Sequence, residues 1–337
     1  MGLRQIAGAM GLAAALLCPG WAQAPVRVAV CPRLGAPAPP TVAALTQALT
    51  GDTGQSGFSA LRDDRQGARR PTRFQIAWND MSLYVLAVCP LEGGPAFRAD
   101  THDHDGELWR DDAVEVFVQP AGSEVYFHFG WNAAGTTAEE RVQDRSWNPA
   151  WYLVTEVTGT AWTSLAVIPF ACLGAAPSPE TAWRLNVCRS DAANAEFSSW
   201  SFSGGGFHRP ERFGWLLFAA TPPGAAPGLA PGVIEQVASQ FFDPPAVDTR
   251  RAQIAMVLCQ PAGTARLLGL HRQLAEQDGA LERAQQRRAA LDASSLAGFI
   301  AEAGTVPEVC VQVDDALARW RIEHLLSTYE TAGSGRR

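Results

Sequence analysis

The chain contains no lysine; all 27 of its basic residues are arginine. That absence excludes Schiff-base catalysis, a Walker-type phosphate loop and any catalytic ammonium, so pyridoxal enzymes and P-loop NTPases are out. Basic runs are equally scarce, none exceeding a pair such as Arg69-Arg70. With a formal charge of -7 and a pI of about 5.4, this leaves no footprint for a phosphate backbone, and nucleic acid is not an expected partner. There is no Cys-x-x-Cys, which removes a zinc knuckle, a thioredoxin-type pair and a c-type haem attachment. Neither a Gly-x-Ser-x-Gly elbow nor a His-Glu-x-x-His helix occurs. The apolar run from Ile6 to Leu17 is too short to span a bilayer, so the mature chain is expected to have no membrane span.

What is present points outward from the cell. Arg4, that short apolar run and the small residues after it read as a secretory signal over residues 1–22, cleaved near Ala22. The protein is therefore expected to be exported, periplasmic or secreted. Of the 7 cysteines, Cys18 falls inside the signal, and the remaining six form an even set in an oxidising compartment. Spacing alone leaves fifteen connectivities open. The expected pairs are Cys31 with Cys89, Cys172 with Cys188, and Cys259 with Cys310, the first because Val-Ala-Val-Cys-Pro and Leu-Ala-Val-Cys-Pro look like neighbouring strand ends. Eleven Trp against four Tyr is an unusual ratio that suits both a large core and a surface that handles sugars.

The stretch around which the chain is organised is Asp111-Asp112-Ala-Val-Glu-Val-Phe-Val-Gln-Pro, introduced by Gly106-Glu107-Leu108-Trp109-Arg110. Period-two alternation puts Val114, Val116 and Val118 on one face of a strand and Glu115, Phe117 and Gln119 on the other. An acidic residue thus interrupts a hydrophobic strand, and Trp109 stands at the loop edge before it. A ring to cover a pyranose face beside a carboxylate to take hydroxyls is the pair that sugar recognition uses; Trp109 capping a sheet end and Glu115 paired with an arginine is the structural alternative. Strands are also expected over 26–30, 73–78, 83–89, 125–132, 151–157, 161–168, 183–189 and 215–218, with a short helix or irregular segment at 41–50. Asn132 closes the polar face of the 125–132 strand. This run of short alternating strands reads as a mainly β fold, an antiparallel β-sandwich. Within the long loop at 90–106, Asp103-His104-Asp105-Gly106 resembles part of a calcium loop, making Asp103 and Asp105 candidate metal ligands, although the other ligands of an EF-hand are absent.

The division expected is a sandwich over 23–220, a Pro/Gly-rich linker over 221–231 and a small helical region over 232–331. Leu267, Leu270, Leu274, Gln277, Leu281, Ala284, Arg288 and Leu291 form a three-four seam that Asp278-Gly279 could break into a hairpin. Leu317, Trp320, Ile322 and Leu325 mark a final helix. The region is expected to pack on the sandwich, to self-associate or to hold a protein partner.

From about Val26 to Ala219 the sequence resembles the family-nine carbohydrate-binding modules, related in fold to DOMON domains. The resemblance rests on Pro71-Thr72-Arg73 leading to Asn79-Asp80-Met81-Ser82-Leu83-Tyr84-Val85, on Leu108-Trp109-Arg110-Asp111-Asp112-Ala113-Val114-Glu115-Val116-Phe117, and on Ala166-Val167-Ile168-Pro169-Phe170. Ser199-Trp200-Ser201 and Phe207-His208-Arg209-Pro210-Glu211-Arg212-Phe213-Gly214 complete it. It implies a sandwich that holds a sugar or glycan end between Trp rings and supports polysaccharide breakdown or uptake. Trp109 and Trp200 would be the rings, Glu115 and Asn132 the hydroxyl partners, and an oligosaccharide or polysaccharide the partner. Structural calcium is frequent in the family and is the one cofactor the resemblance implies. Where the family pattern carries Arg two residues before the Asn, this chain has Gly130.

Two other readings differ in class. A DOMON-type haem or electron-transfer protein would draw axial ligands from Met81, Met256, His102, His104, His128 and His208. A glycoside hydrolase would need two carboxylates across a cleft, for which Glu115 with Glu139 or Glu140 could be invoked. Catalysis is the less expected outcome.

Overall fold

A computed structural model describes residues 27–35, 41–50, 54–91, 97–292 and 294–334; the signal segment and its cleavage point lie outside the described residues. The strands are β1 (Val28–Cys31), β2 (Ser59–Ala60), β3 (Asp63–Gly67), β4 (Arg73–Trp78), β5 (Ser82–Pro90), β6 (Ala113–Gln119), β7 (Phe127–Asn132), β8 (Thr137–Arg141), β9 (Tyr152–Val157), β10 (Ala161–Pro169), β11 (Ala182–Asp191), β12 (Glu196–Ser199) and β13 (Gly214–Phe218). The helices are α1 (Val42–Ala48), α2 (Phe170–Leu173), α3 (Pro231–Ala238), α4 (Pro244–Leu258), α5 (Ala265–Ala289), α6 (Leu296–Ala303) and α7 (Val306–Ser334).

The strands form two sheets, one in the order β3-β2-β12-β11-β6-β7-β8 with β13 also paired to β11 and β1 to β13, the other β4-β5-β10-β9. All pairings are antiparallel except β1 with β13. The fold is a mainly β sandwich with a C-terminal helical region. Its core follows from alternation: Val114, Val116 and Val118 of β6, Phe127, Phe129 and Trp131 of β7, and Trp183, Leu185 and Val187 of β11 face Ile76, Val85, Ala87 and Ala166 of the smaller sheet. The opposite face of the smaller sheet is also apolar, at Tyr84, Leu86 and Leu165, because α1 covers it with Val42, Leu45 and Leu49. Thr41 starts α1 by accepting a hydrogen bond from the Ala44 amide.

The helical region packs on the larger sheet. Trp215, Leu217 and Ala182 join Val233, Ile234, Leu274, Leu281 and Leu317 in one cluster. The segment expected to be a linker is tied down, with the Ala230 amide donating to the Pro179 carbonyl and that of Ala220 to Gly228. Helix α5 runs unbroken through Asp278-Gly279, where the sequence allows a hairpin turn. Asp278 instead points sideways to Arg251 of α4 at 2.8 Å, while Arg250 reaches Asp314 of α7 at 2.8 Å. Leu317 and Trp320 are buried as expected of a seam, whereas Ile322 and Leu325 are exposed.

The expected disulfides do not form. Cys89, Cys172, Cys188, Cys259 and Cys310 are free thiols. The geometry explains it for the middle pair, since Cys188 lies on the outward face of β11 in a cluster with Phe117 and Phe213 while Cys172 sits in α2. Burial, reinforced by Glu115, pushes the Cys188 thiol well above its usual range, so it is a poor nucleophile. Addition of a strong reductant is therefore expected to leave the melting temperature unchanged; a native disulfide would contribute about 2–5 kcal/mol and shift it by several degrees.

A candidate sugar and metal face on the larger sheet

The residues that alternate away from the core give the larger sheet a polar outer face. Glu115 stands on β6 directly opposite Cys188 of β11 and Gly130 of β7. The imidazole of His128 lies near Gly130, where a Cβ would be in ordinary contact with it, 3.4 Å from Nε2. The ring reaches Glu115, with Nε2 3.0 Å from Oε2, and stacks flat on Phe117 at 4.4 Å between centroids. On the other side Ser190 Oγ approaches Glu115 Oε1 at 3.4 Å. Although the Glu115–His128 distance suits a hydrogen bond, the carboxylate lies off the N–H direction, and neither ring nitrogen of His128 has a hydrogen-bond partner among the described residues.

The 202–213 loop folds over this face. It brings His208 against His128 and Phe117, with centroids 5.2 and 5.1 Å away, and packs Phe207 and Phe213 around Phe117. His208 Nδ1 lies 3.1 Å from the Tyr126 hydroxyl. Burial, with the adjacent His128, holds the His208 imidazole below its usual pKa. Glu140, opposite His128 on β8, turns Oε2 toward both imidazoles and accepts at Oε1 from Arg145 Nε at 2.8 Å. The Arg145 guanidinium in turn lies over the ring of Trp109, 5.5 Å from its centroid. Trp109, in a 3-10 turn at Leu108–Arg110, is 41% exposed. At the opposite end in strand order, Phe197 of β12 faces outward opposite Ser190 and is 39% exposed. Across five strands the face thus runs from Phe197 through Ser190, Glu115, His128 and Glu140 to Arg145 and Trp109.

Other residues singled out in the sequence lie elsewhere. Trp200 is 1% exposed in the sandwich core, edge-on to Phe74 at 5.5 Å, with Gly214 packed so closely that a Cβ there would come within 2.6 Å of its ring. It offers no face to a ligand, which corrects its assignment as the second sugar ring. Next to it, Asn186 holds the Ser201 backbone, its Nδ2 donating to the Ser201 carbonyl and its Oδ1 accepting from the Ser201 amide. Asn132 is also fully buried, and its amide donates to the Thr101 carbonyl and Asp111 Oδ2 while its oxygen accepts from the Ala134 and Thr136 amides. Its hydrogen-bonding capacity is committed to pinning a loop, which corrects its assignment as a hydroxyl partner. For Asp111, burial would push the carboxyl up, but hydrogen bonds from Asn132, Thr101 and Asp100 together hold it below the ordinary range.

Asp105 belongs to a cluster with His104 and Glu139, in which His104 Nε2 is 2.7 Å from Glu139 Oε2 and Nδ1 is 3.3 Å from Asp105 Oδ2. Glu139 Oε1 accepts from the Trp151 indole and Asp105 Oδ1 from the Glu139 amide, so the set is mixed in donor type and partly engaged, unlike the oxygen cage calcium prefers. Asp103 is exposed and accepts from Gly106 through its backbone carbonyl. Of the haem-ligand candidates, Met81 and Met256 are 72% and 62% exposed, in a strand turn and on α4. Glu139 and Glu140, adjacent on β8, point to opposite faces, and Glu140 is the one that shares a face with Glu115.

At one end of the core, Asp112 and Arg189 form a buried pair, Oδ1 to Nη2 at 2.5 Å, beside Arg70 and Asp191 at 3.5 Å. Burial outweighs Arg189 and leaves the Asp112 carboxyl above its usual pKa.

No protein-family model matches this sequence, and no curated protein does. Among solved structures it is similar to one from Bacteroides uniformis named provisionally as a carbohydrate-binding protein, at 20% identity and a TM-score of 0.48, over 57% of this chain and 99% of that one. It is also similar to a family 9 carbohydrate-binding module from Caldicellulosiruptor kristjanssonii in complex with glucose, at 14% identity and 0.43, over 60% and 100%. The same module in complex with cellotriose gives 15% and 0.42, over 61% and 100%. Similarity at this level leaves the function of this chain to be read from its own residues.

Proposed function

We propose that the chain is an exported, non-catalytic sugar-binding protein that holds an oligosaccharide or glycan end on the outer face of its larger sheet, in support of polysaccharide breakdown or uptake. The observation that carries this reading is the transect itself, an exposed ring at either end, Phe197 and Trp109, with the polar groups Ser190, Glu115 and His128 nearly buried in the sheet between them. Exposed indole and phenyl faces stack on the CH groups of a pyranose, and a carboxylate and hydroxyl replace the water its hydroxyls lose. Phe197 takes the place that the sequence reading gave to Trp200. A few neutral hydrogen bonds of about 1 kcal/mol each and two partly exposed rings support affinities in roughly the micromolar to millimolar range.

Calorimetric titration with cello- and xylo-oligosaccharides tests it. Trp109→Ala is expected to weaken binding about tenfold or more, equivalent to at least about 1.4 kcal/mol, with Trp109→Phe recovering part of the loss. An oligosaccharide bound equally well by wild type, Trp109→Ala and Phe197→Ala would remove the proposal.

A further inference from the structure

His128, Glu140 and His208 come together from β7, β8 and the 202–213 loop, with one potential ligand atom from each lying within 4.8 Å of the others. His208 Nε2 is 3.8 Å, and His128 Nδ1 4.0 Å, from Glu140 Oε2. Metal bonds of about 2.0–2.2 Å to imidazole nitrogen and carboxylate oxygen put ligand atoms roughly 3.3 Å apart in a tetrahedron. The three donors therefore stand slightly open around a common centre, and small rotations of Glu140 and of the loop-borne His208 close them.

Three further features single this cluster out. The His128 side chain is 8% exposed, yet both ring nitrogens lack a hydrogen-bond partner among the described residues, at a position where an unpaired polar group is costly. Two of the candidate ligands, His208 and Glu140, also have a hydrogen-bonded outer partner on the atom turned away from the centre, and His128 has a carboxylate beside that atom, out of line for a hydrogen bond. Glu115 lies 3.0 Å from His128 Nε2, Tyr126 lies 3.1 Å from His208 Nδ1, and Arg145 binds Glu140 Oε1 at 2.8 Å. That is how metal-binding imidazoles and carboxylates are oriented in proteins. Finally, Phe117 closes the floor beneath both imidazoles and limits water there.

We infer that His128, His208 and Glu140 bind a divalent transition-metal ion of the zinc class, with a fourth position left for water or an oxygen ligand. Two imidazoles and one carboxylate match the preference of zinc, whereas calcium takes six to eight oxygens. The inference shares His128 and Glu115 with the sugar reading but does not need the rings Trp109 and Phe197, so either can fail alone.

The test uses the full chain stripped with a chelator, titrated with Zn2+ by calorimetry and with Co2+ by visible absorption, which reports a low-coordinate nitrogen and oxygen site. One equivalent per chain is expected. His208→Ala, at a loop position whose side chain is 28% exposed, is expected to abolish stoichiometric binding while leaving the melting temperature of the stripped protein in place. Glu115→Gln, which removes the carboxylate beside His128 Nε2 and keeps the three ligands, is expected to weaken Zn2+ binding about 10–100-fold. His104→Ala, in the neighbouring cluster, is expected to leave it intact. Absence of stoichiometric Zn2+ or Co2+ in the wild type, unchanged binding in His208→Ala, or loss in His104→Ala would each overturn the assignment.

Discussion

Replacement of Asp112 by alanine is expected to destabilise the protein by about 3–5 kcal/mol, because it strands a guanidinium in the sandwich core. Asp112 is fully buried and Arg189 is 1% exposed. The aspartate accepts from Arg189 Nη2 through Oδ1 and from the Arg98 amide through Oδ2 at 2.8 Å. Arg189 gives a second hydrogen bond to the Ala113 carbonyl at 3.3 Å and lies over the Trp162 ring, 5.0 Å from its centroid. Taking one charge away leaves the other with an incomplete shell in a region it cannot leave. Burial pushes the Asp112 carboxyl up despite Arg189, and buried ion pairs in general are replaceable by well-packed apolar residues at little cost. The companion result follows from that: Asp112→Leu combined with Arg189→Met is expected to be closer to wild type than either single change. Urea unfolding of wild type, Asp112→Leu, Arg189→Met and the double variant checks it, and a double variant as unstable as the sum of the singles would show that the two residues act independently.

Trp200→Ala is expected to cost a further large amount, about 3–5 kcal/mol, through the cavity it leaves between Phe74 and Gly214. The contrast with Trp109 makes the result informative. Trp109 is 41% exposed and lies under Arg145, so its replacement by alanine is expected to change stability by no more than about 0.5 kcal/mol. The two tryptophans should therefore separate cleanly, one governing the midpoint of unfolding and the other the affinity for sugar. Sugar binding by the folded fraction of Trp200→Ala that falls as far as it does in Trp109→Ala would return Trp200 to the site.

Much of the sandwich was legible because its strands alternate. β4, β5, β6, β7, β9, β10, β11 and β13 all carry period-two or continuous apolar patterns that show in the residues alone. Among the strands that were not legible, which include the short β2 and the exposed β3, two depend on polar partners. β8 reads Thr-Ala-Glu-Glu-Arg, yet Glu139 and Glu140 are buried because His104, Trp151 and Arg145 reach them from other segments. β12 reads Glu-Phe-Ser-Ser and gains its place by pairing with β11. Periodicity cannot supply such contacts, since each partner comes from elsewhere in the chain.

The site divides in the same way. Trp109 and Glu115 are near one another in sequence, and their roles could be read from one strand and the loop before it. Trp200 and Asn132 carried the right chemistry at the right spacing, but a side chain's use depends on which way its backbone turns and on what has already claimed its hydrogen bonds. His128 and His208 were visible only as scattered histidines; Tyr126 and the His208 it meets are 82 positions apart, and only the folded loop joins them. Gly130 was visible as a departure from the family pattern, and the structure places the His128 ring near it.

The most direct measurement is a crystal structure of the full chain grown with a cello- or xylo-oligosaccharide at a concentration well above its calorimetric dissociation constant. A sugar ring is expected on the outer face of the larger sheet, stacked on Trp109 or Phe197 and with a hydroxyl toward Glu115. A sugar bound elsewhere on the chain, or an outer face left bare at saturation, would contradict the proposed function.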